Sequence, residues 1–244
     1  MKVGIIVQAR MTSTRLPGKV LKNVMDKPLL EYQIERLRRV GRADEIIIAT
    51  TTNGADQPIV DLCQRMGVKV FRGSEEDVLS RYYGAAQEYG LDVVVRTTSD
   101  CPLIDPEVVD DVIGMYQEHV ESCDYVSNCL ARTYPRGMDT EVFPFSLLEK
   151  AYMEATEQAL REHVTPYIYD SNQRFRLINV AYPGDESHHR WTVDTPEDFE
   201  LIKRILETLY PKNQAFGLKD VLSVMNAHPS WFYLNAQIEQ KKIR

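Results

Sequence analysis

Residues 3–19 read VGIIVQARMTSTRLPGK. The apolar run Val3–Val7 has the length and β-branched content of a buried strand. The twelve residues that follow, Gln8 to Lys19, hold three cations, Arg10, Arg15 and Lys19, among small hydroxyl residues and a Pro17–Gly18 turn. A strand that opens into a basic, hydroxyl-rich loop can hold a polyphosphate. Backbone N–H groups and hydroxyls surround the oxygens, and fixed cations neutralise the charge. Arginine offers a planar fork and lysine a point charge. A solvated basic loop after an edge strand would have the same composition, so charge spacing alone leaves both readings open. The glycine pattern excludes two common phosphate loops. No GxGxxG follows the strand, Gly18-Lys19 is followed by Val20, and no glycine stands five residues before Gly18.

Outward from this stretch, the first 128 residues alternate strand and helix. Leu30, Ile34, Leu37 and Val40 fall at helical spacing. Strands are predicted at Glu45–Thr51, Val68–Phe71, Val93–Thr97 and Tyr125–Asn128, and helices at Pro58–Met66, Asp77–Tyr89 and Glu107–His119. Such alternation predicts an α/β fold with a mostly parallel sheet. Ligands of such sheets bind outside the carboxyl ends of the strands. The basic loop and the segment TSDCP around Asp100 both follow strands, so both can face one crevice. After Asn128 the rhythm breaks. Leu130–Phe145 reads as loops and short strands, followed by helices near Leu147–Glu157 and Arg161–Asp170 and a strand at Phe175–Val180. Arg190–Asp194 is expected to be a strand that rejoins the main sheet. Pro196 opens an amphipathic helix with Phe199, Ile202, Ile205, Leu206 and Leu209 on its buried side. A shorter helix, Leu218–Met225, precedes a tail whose Trp231, Phe232 and Tyr233 are expected to pack, with QKKIR solvated at the end.

The chain of 244 residues fits one large domain, 1–244, with an inserted segment over 129–189. Hydrophobic residues make up 43% and charged residues 27%, ordinary for a globular protein with a buried core. The net charge of -7 argues against broad nucleic-acid or membrane-surface binding. Basic residues gathered in one loop of an acidic chain suggest a local anionic ligand instead. Neither a signal peptide nor a membrane-spanning apolar run is evident, so a cytoplasmic location is expected. The four cysteines lack CxxC pairs, which argues against zinc spacing or a disulfide framework. Cys101 could be a nucleophile, but no base is evident beside it.

Several longer motifs stand in one order: ARMTSTRLPGK, VFRGSEEDVLSRYY, TSDCPLIDP, REHVTPYI and RWTVDTPED. Together, from residue 1 to about Tyr210, they resemble the CMP-sugar synthetases, a family of cytidylyltransferases, and most of all its spore-coat polysaccharide branch. The resemblance implies a Rossmann-like nucleotide-diphospho-sugar transferase fold of the GT-A kind, with CTP and an acidic 2-keto sugar as substrates and a homodimer built on the irregular middle segment. It implies that Arg10, Arg15 and Lys19 surround the triphosphate, that Ser13 contacts phosphate, and that the backbone at Ala9 reads the base. It also places Arg72 near the nucleotide, although a surface ion pair with Glu75 or Glu76 would equally explain that arginine. The sialic-acid branch carries Lys-Asn where Lys19-Val20 stands here, so its asparagine contact is missing from this chain.

Phosphoryl transfer from a nucleoside triphosphate normally uses a divalent cation held by one or two carboxylates. Asp100 and Asp194 are the candidates, and the resemblance implies that they hold Mg2+. Asp194 could instead cap the helix opened by Pro196, and Asp100 could be a turn residue before Cys-Pro. For the acceptor, the candidates are Arg136, Asp139 and Glu141 of PRGMDTEVF in the irregular segment; alternation would place Asp139 and Glu141 on one face if this stretch is a strand. REHVTPY resembles a sugar-facing helix, in which His163 could bind a carboxylate or take a proton; a partly buried helix histidine is the other reading. His188 and His189 suggest zinc, but no third ligand is spaced suitably, and this loop is expected to contribute Arg190, or one of the histidines, to anion binding. A glycosyltransferase would carry a mid-chain DxD, which is absent from Asp100 to Asp124. A sugar-phosphate nucleotidyltransferase or a non-catalytic nucleotide-binding protein would also account for the basic loop. The non-catalytic reading gives no reason for two strand-end aspartates.

Overall fold

The computed structural model describes residues 1–170 and 174–240. Its centre is β1 (Val3–Gln8), buried at every position but the last. Its apolar side chains alternate between two cores, as the period of a strand requires: Ile5 and Val7 join one, Ile6 the other. After the basic loop, β2 (Asn23–Val24) and β3 (Lys27–Pro28) form a small hairpin that leads into α1 (Leu29–Leu37). The hairpin turn residues Met25 and Asp26 both have positive φ, as a two-residue turn matched to strand twist demands. Then follow β4 (Glu45–Thr51), α2 (Gln57–Met66), β5 (Lys69–Gly73), α3 (Val78–Glu88), β6 (Val93–Thr98), α4 (Pro106–Glu118) and β7 (Tyr125–Ser127). The second half comprises β8 (Glu141–Pro144), α5 (Phe145–Glu154), α6 (Gln158–His163), α7 (Pro166–Tyr169), β9 (Leu177–Asn179), α8 (Pro196–Leu209) and α9 (Leu218–Ala227).

The main sheet has seven strands in the order β5-β4-β1-β6-β8-β7-β9. Neighbours pair in parallel except around β8, which runs against both β6 and β7. This is the mostly parallel α/β sheet expected from the alternation. Gln8 aligns with Ala49 on β4 and with Thr98 on β6, so the loop after β1 and the TSDCP turn leave the sheet side by side. Apolar residues of α1, α2, α4, α8 and α9 cover one face; those of α3, α5 and α7 cover the other.

Segment 129–189 returns β8 and β9 to this sheet and contributes α5, α6 and α7 beside it. Three sequence expectations fail locally. The helix expected over Arg161–Asp170 is split: α6 ends at His163, Val164 takes φ 72, and Pro166 opens α7 at its first position, where a missing N–H costs nothing. Arg190–Asp194 is not a sheet strand: it makes one isolated bridge, Arg136 to Arg190, and bonds to loops. Trp191 N–H donates to the Arg136 carbonyl and Val193 N–H to that of Asp100, each at 2.8 Å. Gly137, at φ 103, permits this close approach, since a Cβ there would stand 2.6 Å from the Trp191 carbonyl oxygen. In the tail, Trp231 and Phe232 pack on the core, but Tyr233 is exposed. Residues 241–244, most of the QKKIR end, lie outside the described part. No described helix is long and apolar enough to cross a membrane.

Candidate active site

A cavity of about 1050 Å³ opens at the carboxyl ends of β1 and β6. The backbone of the basic loop is fixed before any ligand arrives. Fully buried Asp56 accepts the Met11 N–H at 2.7 Å and also the N–H and hydroxyl of Thr51. Gly18, in the left-handed region, closes the loop by donating its N–H to the Met11 carbonyl at 2.9 Å. Thr12 donates to Glu75, whose other oxygen accepts from Asn53.

Asp100 and Asp194 come together because the backbone ties their segments: the Asp100 carbonyl accepts the Val193 N–H and the Thr192 hydroxyl. Lys19 Nζ then lies between the two carboxylates, 2.9 Å from Asp100 Oδ2 and 2.8 Å from Asp194 Oδ1. Burial alone would raise the Asp100 carboxyl, but Lys19 and the Thr98 hydroxyl outweigh it and hold the group below the usual carboxylate range. Burial likewise opposes the charge on Lys19, and the two aspartates raise its pKa in spite of it. Asp194 does not cap α8. Thr195 does, in a capping box with Asp198, which leaves both Asp194 oxygens for cations. Its Oδ2 accepts from Arg15 Nη2 at 2.8 Å and from Arg190 Nη2 at 2.9 Å. Two carboxylate oxygens converging on one cation position are a donor set suited to a hard divalent ion whose remaining sites go to phosphate oxygens and water.

Eleven of the thirteen residues singled out in the sequence line this cavity: Ala9, Arg10, Ser13, Arg15, Lys19, Asp100, Arg136, Asp139, Glu141, His163 and Asp194. Two do not. Arg72 faces the turn after β4, donating to the Thr51 and Asn53 carbonyls and to Gln57 Oε1. Each of its three nitrogens donates to one of these acceptors; it does not line the cavity, and neither Glu75 nor Glu76 is among its ion-pair partners. Arg190 stands behind Asp194 and binds Asp194, Asp198 and Gln240. Nearly buried, it positions a carboxylate rather than receiving an anion from solvent.

On the far wall, Asp139 is held by both terminal nitrogens of Arg132. Glu141 accepts from Arg96 and from Tyr125. Burial lowers the Arg136 pKa, with Arg132 adding to the effect. Burial, then Asp100, pushes the Cys101 thiol far above its ordinary value, which rules out a thiolate nucleophile near neutral pH. Sequence spacing missed Asp56, Arg81, Arg96, Arg132, Asp198 and the tail residues Asn235 and Gln240. Only the fold brings these to the site. It also missed Glu186, whose Oε2 lies 3.6 Å from His189 Nε2 and 4.0 Å from His188 Nε2, the third group that linear spacing did not supply.

A family model described as cytidylyltransferase matches residues 4–223. The chain belongs to the cytidylyltransferase family. Members of this family are CTP-dependent nucleotidyltransferases. The chain is 38% identical over 246 residues to the uncharacterized protein MJ1063 of Methanocaldococcus jannaschii, covering 100% of this chain and 98% of that one. It is 32% identical to the spore coat polysaccharide biosynthesis protein SpsF of Bacillus subtilis, over 92% of this chain and 94% of the relative. It is 33% identical to a 3-deoxy-manno-octulosonate cytidylyltransferase of Pseudomonas fluorescens, over 83% and 97%. Among solved structures, a cytidylyltransferase from Leptospira borgpetersenii superposes with a TM-score of 0.92 at 35% identity, covering 99% of this chain and 100% of that one. The matched family segment ends before Asn235 and Gln240, so this cytidylyltransferase braces its site with residues beyond it.

Proposed function

We propose that the protein transfers the CMP group of CTP to a hydroxyl of an acidic 2-keto sugar, of the sialic, legionaminic or octulosonic acid kind, and releases pyrophosphate. The convergence of Asp100 and Asp194 on one cation position, beside the basic loop, carries this reading. Arg10, Arg15, Lys19 and Ser13 receive the triphosphate, and the backbone at Ala9 faces the base. Asp100 and Asp194 hold a divalent ion, Mg2+ in this reading, which when bound neutralises phosphate charge and lowers the pKa of the attacking hydroxyl. The acceptor oxygen forms a bond to the α-phosphorus in line as the bond to pyrophosphate breaks. The chain's contribution is position and fixed charge.

The acceptor lies toward the wall of Arg136, Asp139, Glu141 and His163. Arg136 binds its carboxylate, and His163 accepts the hydroxyl proton or orients the sugar. Segment 129–189 supplies this wall and, in a homodimer, the contact between copies. Support for a keto-sugar acid comes from the octulosonate cytidylyltransferase relative, and support for a polysaccharide pathway from SpsF. The test is pyrophosphate release with each of the four nucleoside triphosphates, Mg2+ and a panel of eight- and nine-carbon 2-keto sugar acids. Release with CTP and one such acid is expected. Silence with every acid in the panel, or release with another nucleotide in preference to CTP, would contradict the reading.

A further inference from the structure

Arg81, near the start of α3, lines the cavity and yet is only 2% exposed. Its Nε and Nη1 are buried without a hydrogen-bond partner. Buried polar groups are almost always paired, and charged ones most stringently. Two unpartnered guanidinium nitrogens in a cavity wall therefore point to an acceptor that arrives with a ligand. The protein's own acids near it are engaged elsewhere. Glu75 accepts from Thr12 and Asn53, and Asp56 holds Met11 and Thr51. The position is also tight. A Cβ at Gly73, the last residue of β5, would stand 2.8 Å from Arg81 Cγ, so glycine there admits the arginine.

Topology decides which part of a nucleotide would reach it. Asp100 follows β6, on one side of β1, whereas Gly73 ends β5, two strands away on the other side. At about 4.8 Å per strand, β5 and β6 are roughly 14 Å apart. The phosphate-binding cations Lys19 and Arg15 cluster with Asp100 and Asp194 at the β6 end. Arg81 stands on the other side of β1, beside Gly73 and near Arg10 and Glu75, the direction in which the nucleoside extends if the phosphates run from Lys19 and Arg15 toward Arg10.

We propose that Arg81 reads the base. One edge of its guanidinium, made by Nη2 with Nε or with Nη1, donates to O2 and N3 of cytosine. Both of those atoms are acceptors in cytosine. Uracil carries N3–H, which would set a donor against a donor inside a dry wall, so this pairing favours CTP over UTP. The inference rests on the CTP reading above and supplies the base discrimination that the missing Lys-Asn asparagine would otherwise leave without a side chain.

The experiment is calorimetric titration of the full chain with CTP, UTP, 3-deaza-CTP (N3 replaced by C–H) and inorganic tripolyphosphate. Wild type is expected to bind CTP about tenfold to a hundredfold more tightly than UTP or 3-deaza-CTP. Arg81→Met, which keeps an unbranched stem and removes every donor, is expected to lose that margin for CTP while tripolyphosphate affinity stays unchanged. Arg81→Lys keeps the charge without the fork and is expected to lose the margin too. Equal binding of CTP and 3-deaza-CTP by wild type would overturn the proposal, even if Arg81→Met did not fold. So would a loss of tripolyphosphate affinity in Arg81→Met or Arg81→Lys as large as the loss for CTP, which would make Arg81 a phosphate ligand. In both cases the polyphosphate site would stand. A wild-type protein that binds neither CTP nor tripolyphosphate would overturn the nucleotide reading itself.

Discussion

Asp198 accepts both Nε and Nη2 of Arg190, at 2.9 and 3.1 Å, and Asp198 is fully buried. The same carboxylate accepts the N–H groups of Asp194 and Thr195 and the Asn235 amide. Arg190 in turn holds Asp194. The candidate metal ligand is thus oriented by a buried ion pair behind it.

Asp198→Asn neutralises one of the two carboxylates that face a buried arginine. A loss of about 3–5 kcal/mol in unfolding free energy is expected from breaking such a pair, read by urea denaturation. The surviving folded protein should turn over more slowly, because Asp194 loses its orientation. Wild-type stability in this variant would show that the pair contributes little.

Lys19 occupies the point on which Asp100 and Asp194 converge. In Lys19→Met that internal cation is gone, so Mn2+ should bind the nucleotide-free protein more tightly than it binds wild type. Turnover should nevertheless fall by about a hundredfold or more, as expected when a preorganised charge at the reacting phosphate is removed. Calorimetry with Mn2+ and a pyrophosphate assay separate the two effects. Weaker Mn2+ binding would mean that Lys19 does not compete for that point.

Asp56 holds the loop backbone at Met11 from the turn after β4. Asp56→Ala should raise the KM for CTP by about tenfold, since the loop then has to be ordered at the cost of binding. Unfolding temperature should drop as well. An unchanged KM would show that the loop is held by Gly18 and its other contacts.

His189 gives a pH dependence. Burial, then the nearby His188, lowers its pKa to about 4 from an ordinary 6.5. As pH falls through 6.5 the unfolded chain takes up a proton that the folded protein refuses until about 4. Stability is therefore lost between those values and changes little from this group above or below them. His189→Phe, which keeps the stack on Trp191, should flatten this slope by up to roughly 3 kcal/mol between pH 7 and 4. Equal slopes in wild type and variant would contradict the shift.

Much of this was legible in the sequence because it depends on local pattern. The strand Glu45–Thr51 and the helix opened by Pro196 follow from periodicity and from proline at a helix start. The basic loop and Asp100 follow from their place after the apolar strands β1 and β6, whereas Asp194 is carried by the RWTVDTPED motif and not by a strand. What stayed hidden depends on partners distant in the chain. Arg72 and Arg81 are both arginines of VFRGSEEDVLSRYY, and nothing in that string says that the first is occupied by carbonyls and the second faces the cavity. Arg190–Asp194 has a strand's composition, but its hydrogen bonds go to Arg136 and Asp100, which only the folded loops bring near. Asn235 and Gln240 sit in a tail with no motif, and their role exists only through Asp198 and Arg190.

The most direct test of the central claim is the rate of CTP-dependent pyrophosphate release by Asp100→Asn and Asp194→Asn at saturating Mg2+, with the acid that wild type accepts. Both variants keep shape and lose one carboxylate charge. If these two side chains hold the metal at the transferred phosphate, each should lose about a hundredfold or more in turnover while still binding CTP without metal. Near-normal turnover in either variant would contradict the claim that both carboxylates are required.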